Sequence, residues 1–160
     1  MLAVMSDVVL RPAGAGDAAF LTDMLVEAAT TPAVPRSRAE TLADPSFAHY
    51  LPADVGLVAV EQSSQPVGAA WLRLFGADDP GYGFVRDGVP ELAIGVLASR
   101  RGRGIGRLLV RAIADVARAR GFCHICLSVD RVNPAARLYL AEGYRVVASR
   151  EHADTMLLAL

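Results

Sequence analysis

Apolar residues recur along the chain with two different periods, which separate predicted strands from predicted helices. Contiguous or alternating apolar runs are typical of buried and half-buried strands. Such runs lie at residues 8–11, 56–61, 67–75, 91–97, 122–129, 144–149 and 155–160. Apolar residues spaced three or four positions apart predict amphipathic helices. This spacing occurs at residues 17–29, 36–44, 108–120 and 133–142.

The order of these elements predicts an α+β fold (α/β mixed sheet). Three successive strands in the middle of the chain favour an antiparallel meander, and the later strand–helix–strand order favours one parallel crossover. We expect a central mixed, mostly antiparallel twisted sheet of about seven strands, flanked by about four helices. No linker, repeat or low-complexity tract interrupts the chain. Residues 1–160 are therefore expected to form a single domain, with residues 1–6 as a flexible N-terminus.

Composition narrows the class of protein further. The 160 residues are 53% hydrophobic, which is enough for a substantial core. Because the net charge is −1, no global field favours nucleic acid or a membrane surface. No stretch approaches the ~18 uninterrupted apolar residues of a membrane span, and the first residues lack the basic region of a signal peptide. We therefore expect a cytoplasmic protein that binds neither nucleic acid nor membrane.

The basic residues are unusual in type and in distribution. All 16 of them are arginine. Five surround one glycine-rich segment, namely Arg100, Arg101, Arg103, Arg107 and Arg111. A local basic patch in a nearly neutral chain indicates an anionic ligand.

Cys123 and Cys126 form a C-x-x-C pair, which has to be weighed as a metal or redox site. A spacing of three places the two side chains on opposite faces of a strand. No second cysteine pair completes a zinc site. We expect neither a metal nor a disulfide.

The glycine-rich segment lies between the strand from Glu91 and the helix at 108–120. Glycines let backbone N–H groups crowd around a ligand, and a helix N-terminus carries partial positive charge, so the segment predicts a phosphate cradle. A Walker A loop requires a lysine, which the chain lacks. A Rossmann fingerprint has its glycines directly after the first strand, whereas several elements and residues 98–101 come before these glycines.

Two segments resemble the signatures of the GNAT superfamily of N-acetyltransferases, which bind acetyl-CoA. The run Arg101-x-x-Gly104-x-Gly106 resembles the R/Q-x-x-G-x-G/A motif. The segment from Asn133 through Tyr139 to Gly143-Tyr144 resembles the pattern N-x-x-A-x-x-x-Y-x-x-x-G-F/Y. Both occur in the family order, and the predicted elements match the family fold over nearly the whole chain. The first half of the chain matches by element order alone.

The resemblance implies acetyl-CoA as co-substrate. The pyrophosphate of acetyl-CoA would be held by the backbone N–H groups of Gly102, Arg103, Gly104, Ile105, Gly106 and Arg107. Arg101 and Arg103 would add charge. In the family, the strand before the turn separates from its neighbour and pairs with the pantetheine arm, a role that falls here on Gly95, Val96 and Leu97. Asn133 suits a helix N-cap, which accounts for it fully, and the resemblance adds a contact with CoA.

The resemblance also implies two catalytic groups. Tyr139 would protonate the departing CoA thiolate, since a phenol stays protonated at neutral pH; the alternative is a packing residue. Glu91 would act as general base, directly or through water; the alternative is a strand-end carboxylate that binds the acceptor or is solvated. The Val96 N–H would donate to the thioester oxygen.

The resemblance further implies that the acceptor is a primary amine, in a small molecule or a peptide, which would enter opposite CoA. By analogy of position its candidate contacts are Glu27, Thr30, Trp71, Tyr82, Phe84 and the hairpin near His152. No catalytic role is assigned to His49, His124 or His152, because none has a visible carboxylate partner.

Two other functions remain open at this point. One is a non-catalytic acyl-CoA-binding module on the same fold, and the other is a Rossmann-type nicotinamide-binding protein. Many members of the family form homodimers through sheet edges or C-terminal strands, and the apolar strand at residues 156–160 is compatible with this.

Overall fold

The computed structural model describes residues 4–5, 7–31 and 34–160, which form eight strands and five α-helices. The strands are β1 (Val4–Met5), β2 (Val8–Pro12), β3 (Val55–Glu61), β4 (Pro66–Arg73), β5 (Glu91–Val96), β6 (His124–Asp130), β7 (Arg145–Ser149) and β8 (Ala153–Ala159). The helices are α1 (Ala18–Ala29), α2 (Arg38–Ala43), α3 (Pro45–Ala48), α4 (Ile105–Ala119) and α5 (Ala135–Ala141).

The strands lie in one sheet with the order β1-β2-β3-β4-β5-β6-β8-β7. Within the described ranges β5 and β6 are the one parallel pair, and all other neighbours are antiparallel. The α+β prediction with a mixed, mostly antiparallel sheet is confirmed. The additional elements are the two-residue β1 and the four-residue α3. A Rossmann sheet is parallel, so this order excludes a Rossmann-type protein.

Helices cover both faces of the sheet and bury two separate apolar clusters. On one face α4 buries its apolar stripe, including Leu109 and Ile113, together with Tyr139 of α5. On the other face α1 buries Leu21, Met24 and Leu25 against Trp71 of β4. Each large apolar side chain buried in this way contributes about 2 kcal/mol to folding. These two layers hold the central strands in place.

The parallel strands β5 and β6 touch at one end and then separate. Their single register pair is Glu91 with Cys126, and the Cys126 N–H donates to Pro90 O at 3.0 Å. β4 instead follows β5 along its whole length, from Arg73–Glu91 to Gly68–Val96. The far half of β5 therefore has a partner on one side only, and a cleft opens between β5 and β6.

The ends of the chain differ from expectation. The C-terminal strand β8 lies between β6 and β7, so it has no free edge with which to pair a second copy. The sheet ends instead at β7, whose five residues are all exposed. Residues 1–6 were expected to be flexible, but Val4 and Met5 pair with β2; residues 1–3 and 6 lie outside the described part of the chain.

In the part of the chain that the structure describes, none of the helices combines the length and the apolar character needed to cross a lipid bilayer.

Candidate active site

The two signature segments meet at the edge of the sheet where β5 and β6 end. A Cβ placed on Gly106 would lie 3.6 Å from Leu138 Cδ2 of α5. Glu142, just after α5, pairs with Arg107 Nε at 3.2 Å and with Arg111 Nε at 2.7 Å. The hydrogen bonds from Arg111 are the main reason that the pKa of Glu142 lies below its ordinary value. The N-terminal half of α4 therefore packs directly against α5.

The glycine turn leaves a row of backbone donors without acceptors. Gly102 and Gly104 have φ of +74° and +83°, which disfavours residues with a Cβ. Gly104 is the N-cap of α4, and no side chain caps the helix. Among the described residues, none of the N–H groups of residues 102–107 donates a hydrogen bond. The turn and the uncapped helix N-terminus together can hold an anion.

Helix α4 begins at Ile105, three residues earlier than the sequence predicted. The reason is that Ile105 is part of the buried stripe of α4 and is 2% exposed. Its side chain belongs to the core, so only its backbone is available to a ligand.

The arginines around the turn differ in how they are paired. Arg100 pairs with Glu61, and Arg101 Nη2 donates to Glu27 Oε2 of α1 at 2.8 Å. Arg107 and Arg111 share Glu142. Within the described ranges Arg103 has no ion pair. Arg103 is thus the cation of the patch whose charge no carboxylate neutralises by direct contact.

The alternation of hydrogen bonds along β5 decides which backbone groups face the cleft. The Leu97 N–H donates to Val67 O at 2.9 Å, so Leu97 and Gly95 direct their groups toward β4. Val96 points its N–H and C=O to the opposite side, toward β6. Arg101 Nε donates to Val96 O at 3.2 Å. Of the three predicted residues, Val96 is the one that presents its backbone to the cleft.

Gly95 has a packing role of its own. A Cβ at this position would lie 2.4 Å from Met24 O and 3.0 Å from Met24 C. Helix α1 thus lies directly on β5, which no larger residue at position 95 would permit.

Tyr139 and Tyr144 lie side by side, with ring centroids 5.7 Å apart. Tyr139 is 6% exposed, and burial raises its pKa to about 12, so its phenol is protonated at neutral pH. Among the described residues its hydroxyl has no hydrogen-bond partner, so the packing alternative lacks an acceptor for it. Tyr144 is fully buried, and its hydroxyl likewise has no partner in the described ranges.

Asn133 caps the start of α5. Its Oδ1 accepts a hydrogen bond from the Ala135 N–H at 2.9 Å, and Pro134 follows at the helix entrance. The predicted capping role is confirmed. Asp17 occupies the N-cap position of α1 without capping the helix through its side chain, and its carboxylate accepts hydrogen bonds from Arg11 and the Gly14 N–H.

Glu91 is buried rather than solvated, with 2% of its surface exposed. Its Oε1 accepts hydrogen bonds from the Tyr50 hydroxyl at 2.6 Å and from the Gly83 N–H at 2.7 Å. Its Oε2 is also buried but has no hydrogen-bond partner among the described residues. One oxygen therefore anchors the segment between β4 and β5, and the other remains available for a proton.

Burial raises the pKa of Glu91 above its ordinary value, because water cannot solvate the ionised form. The hydrogen bonds from Tyr50 and Gly83 and the positive field of His49 and Arg150 oppose this shift without cancelling it. Burial, with the charge of Glu91, also raises the pKa of the neighbouring Cys126 thiol to about 12. A buried carboxyl of raised pKa is suited to accept a proton near neutral pH.

His49, to which no catalytic role was assigned from the sequence, lies near the Glu91 carboxyl group. His49 Nδ1 is 3.0 Å from Asp79 Oδ1, so the expectation that it has no carboxylate partner is wrong. Its ring packs against Phe75 and Tyr50, with centroids 4.6 Å and 5.2 Å away. His152 also has a carboxylate neighbour, Glu151 at 3.7 Å, but both side chains are exposed.

The candidate acceptor contacts fall in different environments. Trp71 is fully buried, and its Nε1 donates to Tyr50 O at 2.9 Å, so it belongs to the core rather than to a binding surface. Tyr82 is exposed and its hydroxyl lies 2.7 Å from Ser46 Oγ. Phe84 packs on the α1-side cluster. Thr30 donates to Arg36 O, and Glu27 holds Arg101.

Three residues of this site were missed from the sequence: Tyr50, His49 and Asp79. They come from the segment after α3 and from the loop before β5, and the fold brings them to Glu91. His49 and Tyr50 are adjacent, but the sequence contains no spacing rule that relates them to residue 79 or 91. A motif search therefore would not find them.

Cys123 and Cys126 lie in different environments, the first exposed and the second buried, and both are free thiols. In the described ranges no cluster of three or more His, Cys, Asp or Glu side chains could hold a metal ion.

The chain was compared with known proteins. The family model described as "Acetyltransferase (GNAT) family" matches residues 20–144. Streptothricin acetyltransferase from Streptomyces lavendulae is 48% identical over 52 residues, which are 32% of this chain and 28% of that enzyme. The match therefore spans less than a third of either protein.

Solved structures share the fold. The GNAT domain of S. lividans PAT superposes with a TM-score of 0.73 at 20% identity, over 99% of this chain and 97% of that one. The PaiA N-acetyltransferase from Thermoplasma acidophilum, solved in complex with coenzyme A, gives 0.67 at 16% identity, over 98% and 100%. The family model covers most of the chain and both signature segments, and so this chain belongs to the GNAT family of acetyltransferases.

Proposed function

We propose that the protein transfers an acetyl group from acetyl-CoA to a primary amine by direct attack of the amine on the thioester. The observation that carries the proposal is the free edge of β5, which leads to the uncapped N-terminus of α4. An extended arm with a phosphate group at its end matches this arrangement of donors.

The residues present fit a CoA pyrophosphate. The donors of residues 102–107 have no acceptor within the described ranges, and the positive φ values hold the turn open toward them. Arg103 supplies charge that no direct ion pair neutralises. The side-chain nitrogen of Asn133 is left for a ligand, because only its oxygen is used in capping.

The backbone of Val96 aligns the reacting end of the donor. The Val96 N–H faces the cleft, where it donates to the thioester oxygen as negative charge develops there. Arg101 lies across the same edge and must release Val96 O before the pantetheine arm can pair with it. Acetyl-CoA supplies the activated acyl group, and the protein supplies its alignment.

Tyr139 and Glu91 each carry out one of the two proton transfers of the reaction. The Tyr139 phenol remains protonated at neutral pH and donates to the departing thiolate. Glu91 removes a proton from the incoming ammonium through its free Oε2, and its raised pKa makes it a stronger base than an exposed carboxylate.

The acceptor is a small or peptidic primary amine. The partial match to streptothricin acetyltransferase makes streptothricin a rational member of a first panel. The exposed Tyr82 and the acidic Glu27 are the remaining contacts from the predicted set that suit a cationic, partly apolar amine.

The test is free-thiol release from acetyl-CoA and propionyl-CoA with a panel of amines that includes streptothricin, polyamines, amino acids, arylalkyl amines and peptide N-termini. Amine-dependent CoA release is expected with at least one class. Tight binding of acetyl-CoA without turnover across the panel would instead indicate a non-catalytic acyl-CoA-binding module.

A further inference from the structure

Beside Glu91 lies a second titratable pair, which connects the buried carboxyl with the surface. Asp79 is largely exposed, at 73% of its side-chain area, whereas the His49 side chain is 15% exposed. His49 Nδ1 faces Asp79 at 3.0 Å, and His49 Nε2 is buried. The pair therefore has one end in water and the other end inside the protein.

The contact with Asp79 sets the tautomer of His49. An ionised carboxylate only accepts hydrogen bonds, so the proton of the neutral ring resides on Nδ1. The buried Nε2 then carries a lone pair and can accept a proton. The ring is held in place because Arg73 Nε donates to His49 O at 3.1 Å and because Phe75 and Tyr50 flank it.

His49 Nε2 and Glu91 Oε2 are two buried polar atoms that have no hydrogen-bond partner among the described residues. Tyr50 connects the two residues: its hydroxyl donates to Glu91 Oε1 at 2.6 Å, and its ring packs against the His49 ring with centroids 5.2 Å apart. The charge of His49 also lowers the pKa of Glu91, so the two groups are electrostatically coupled.

We propose that His49 and Asp79 form a proton relay, which carries the proton of the acceptor amine from Glu91 to bulk water. This inference rests on the proposed function of Glu91 as the base. His49 and Asp79 are positioning residues, since neither has to touch the substrate.

The proton balance is simple. One proton leaves the ammonium for Glu91 Oε2 and passes through a bridging water to His49 Nε2. The resulting imidazolium loses the proton on Nδ1 to bulk water on the Asp79 side, and the neutral ring then returns to its Nδ1–H tautomer. Only N–H and O–H bonds form and break, and no oxidant, reductant or further reactant takes part. Asp79 stabilises the imidazolium by its negative charge without itself becoming the final acceptor.

The charged and titratable groups around Glu91 come from several elements. His49 and Tyr50 follow α3, Cys126 lies on β6, and Arg150 follows β7. The pKa values of Tyr50 and Cys126 are raised, so both stay neutral at physiological pH. Of these groups, His49 has two ring nitrogens, so it can accept a proton at one and release a proton from the other.

The first test is the variant His49→Asn, whose amide can keep the contact with Asp79 but cannot carry a proton. We expect kcat to fall by about tenfold or more, with the KM for acetyl-CoA unchanged. Imidazole in the buffer should restore kcat to His49→Ala and not to Glu91→Gln. His124→Gln, on the exposed end of β6, is the matched control and should retain wild-type kcat.

The second readout does not depend on turnover. In His49→Asn the pKa of Glu91, followed by carboxyl carbon NMR, should rise because the contribution of His49 that lowers this pKa is lost, and the acidic limb of kcat/KM should move to higher pH. An unchanged Glu91 titration, or a wild-type kcat in His49→Asn, overturns the relay while amine acetylation stands. Absence of turnover by the wild-type protein overturns the proposed function and the relay together.

Discussion

The cofactor half and the acceptor half of the site are built in opposite ways. The turn at residues 101–104 is exposed and leads directly into α4, and this continuous segment acts through backbone N–H groups. Glu91 is buried and acts through a side chain held by Tyr50 and Gly83. The first kind of site depends on local conformation, and the second depends on desolvation by distant parts of the chain.

The chemistry of each half explains this difference. A phosphate group carries its own charge, so an uncapped helix end and a basic turn are sufficient to bind it in contact with water. A carboxyl group becomes an effective base near neutral pH only when burial raises its pKa. Changes in the two halves should therefore alter different quantities: the affinity for acetyl-CoA in the first, and kcat and its pH dependence in the second.

The largest expected effect is that of Glu91→Gln. The amide can still accept from Tyr50 and Gly83 but cannot take a proton, so kcat should fall about 10²- to 10⁴-fold, with the Kd for acetyl-CoA nearly unchanged. Steady-state kinetics and calorimetric titration measure the two quantities. Asp115→Asn, which changes an exposed carboxylate on α4 that pairs with Arg118, serves as control.

The same variant should be more stable than the wild type at high pH. Folding raises the pKa of Glu91, so the folded protein holds this proton more tightly and wild-type stability declines as pH rises through the folded pKa. Glu91→Gln lacks this decline. Denaturant unfolding at pH 5 and pH 8 measures the difference, and an equal stability gap at both values would contradict the burial argument.

The next largest effect is that of Tyr139→Phe, which should lower kcat by about 100-fold because the leaving thiolate loses its proton donor. The affinity for acetyl-CoA should change far less. Tyr144→Phe is the matched control, since its hydroxyl is buried without a partner in the described residues. It should retain kcat and stabilise the fold by about 1 kcal/mol. Equal kcat values for Tyr139→Phe and wild type would remove Tyr139 from the mechanism.

Gly102→Ala should weaken acetyl-CoA binding by about tenfold, because the altered turn no longer directs a backbone N–H group at the phosphate. Gly121→Ala is a close control at the other end of α4. Both glycines have positive φ (+74° and +83°), and neither has an atom within 4 Å of an added Cβ. Both variants should lose about 1–2 kcal/mol of stability, but only Gly102→Ala should lose affinity. Similar affinities would contradict a phosphate site at the turn.

The smallest effect is expected for Arg103→Ala. Removal of this exposed, unpaired charge should weaken acetyl-CoA binding about threefold to tenfold at low ionic strength, and less at high salt because the charge is screened. Arg118→Ala, whose guanidinium pairs with Asp115 far along α4, should leave the affinity unchanged. A loss that does not depend on salt would indicate a structural rather than an electrostatic effect.

Most of the fold and the family could be predicted from the sequence. Hydrophobic periodicity located seven of the eight strands, and the signatures around Gly104 and Tyr139 identified the family. Both depend on residues close to one another in the chain, which is where periodicity and motifs carry information. The sequence predicted that α4 begins at residue 108, whereas it begins at Ile105. The difference arises because Ile105 lies within the glycine-rich segment, where the apolar spacing of the helix is not apparent.

The environment of individual residues could not be predicted in the same way. Trp71, one of the candidate acceptor contacts, is a core residue, and His49, to which no carboxylate partner was assigned, pairs with Asp79. The strand at residues 156–160, which was compatible with dimer contacts, lies inside the sheet. Each of these findings concerns what packs against a residue, which depends on the arrangement of elements that are distant in sequence.

The sequence by itself determined the succession of strands and helices, the glycine turn and the membership of the family, since all of these follow from local patterns. Only the tertiary structure decided that β5 leaves β6 beyond Glu91, that Val96 faces the cleft, and that Glu91 is buried beside Tyr50 and the His49–Asp79 pair. The physical reason is that exposure, electrostatic coupling and unpaired polar atoms arise from packing between segments, which no local pattern specifies.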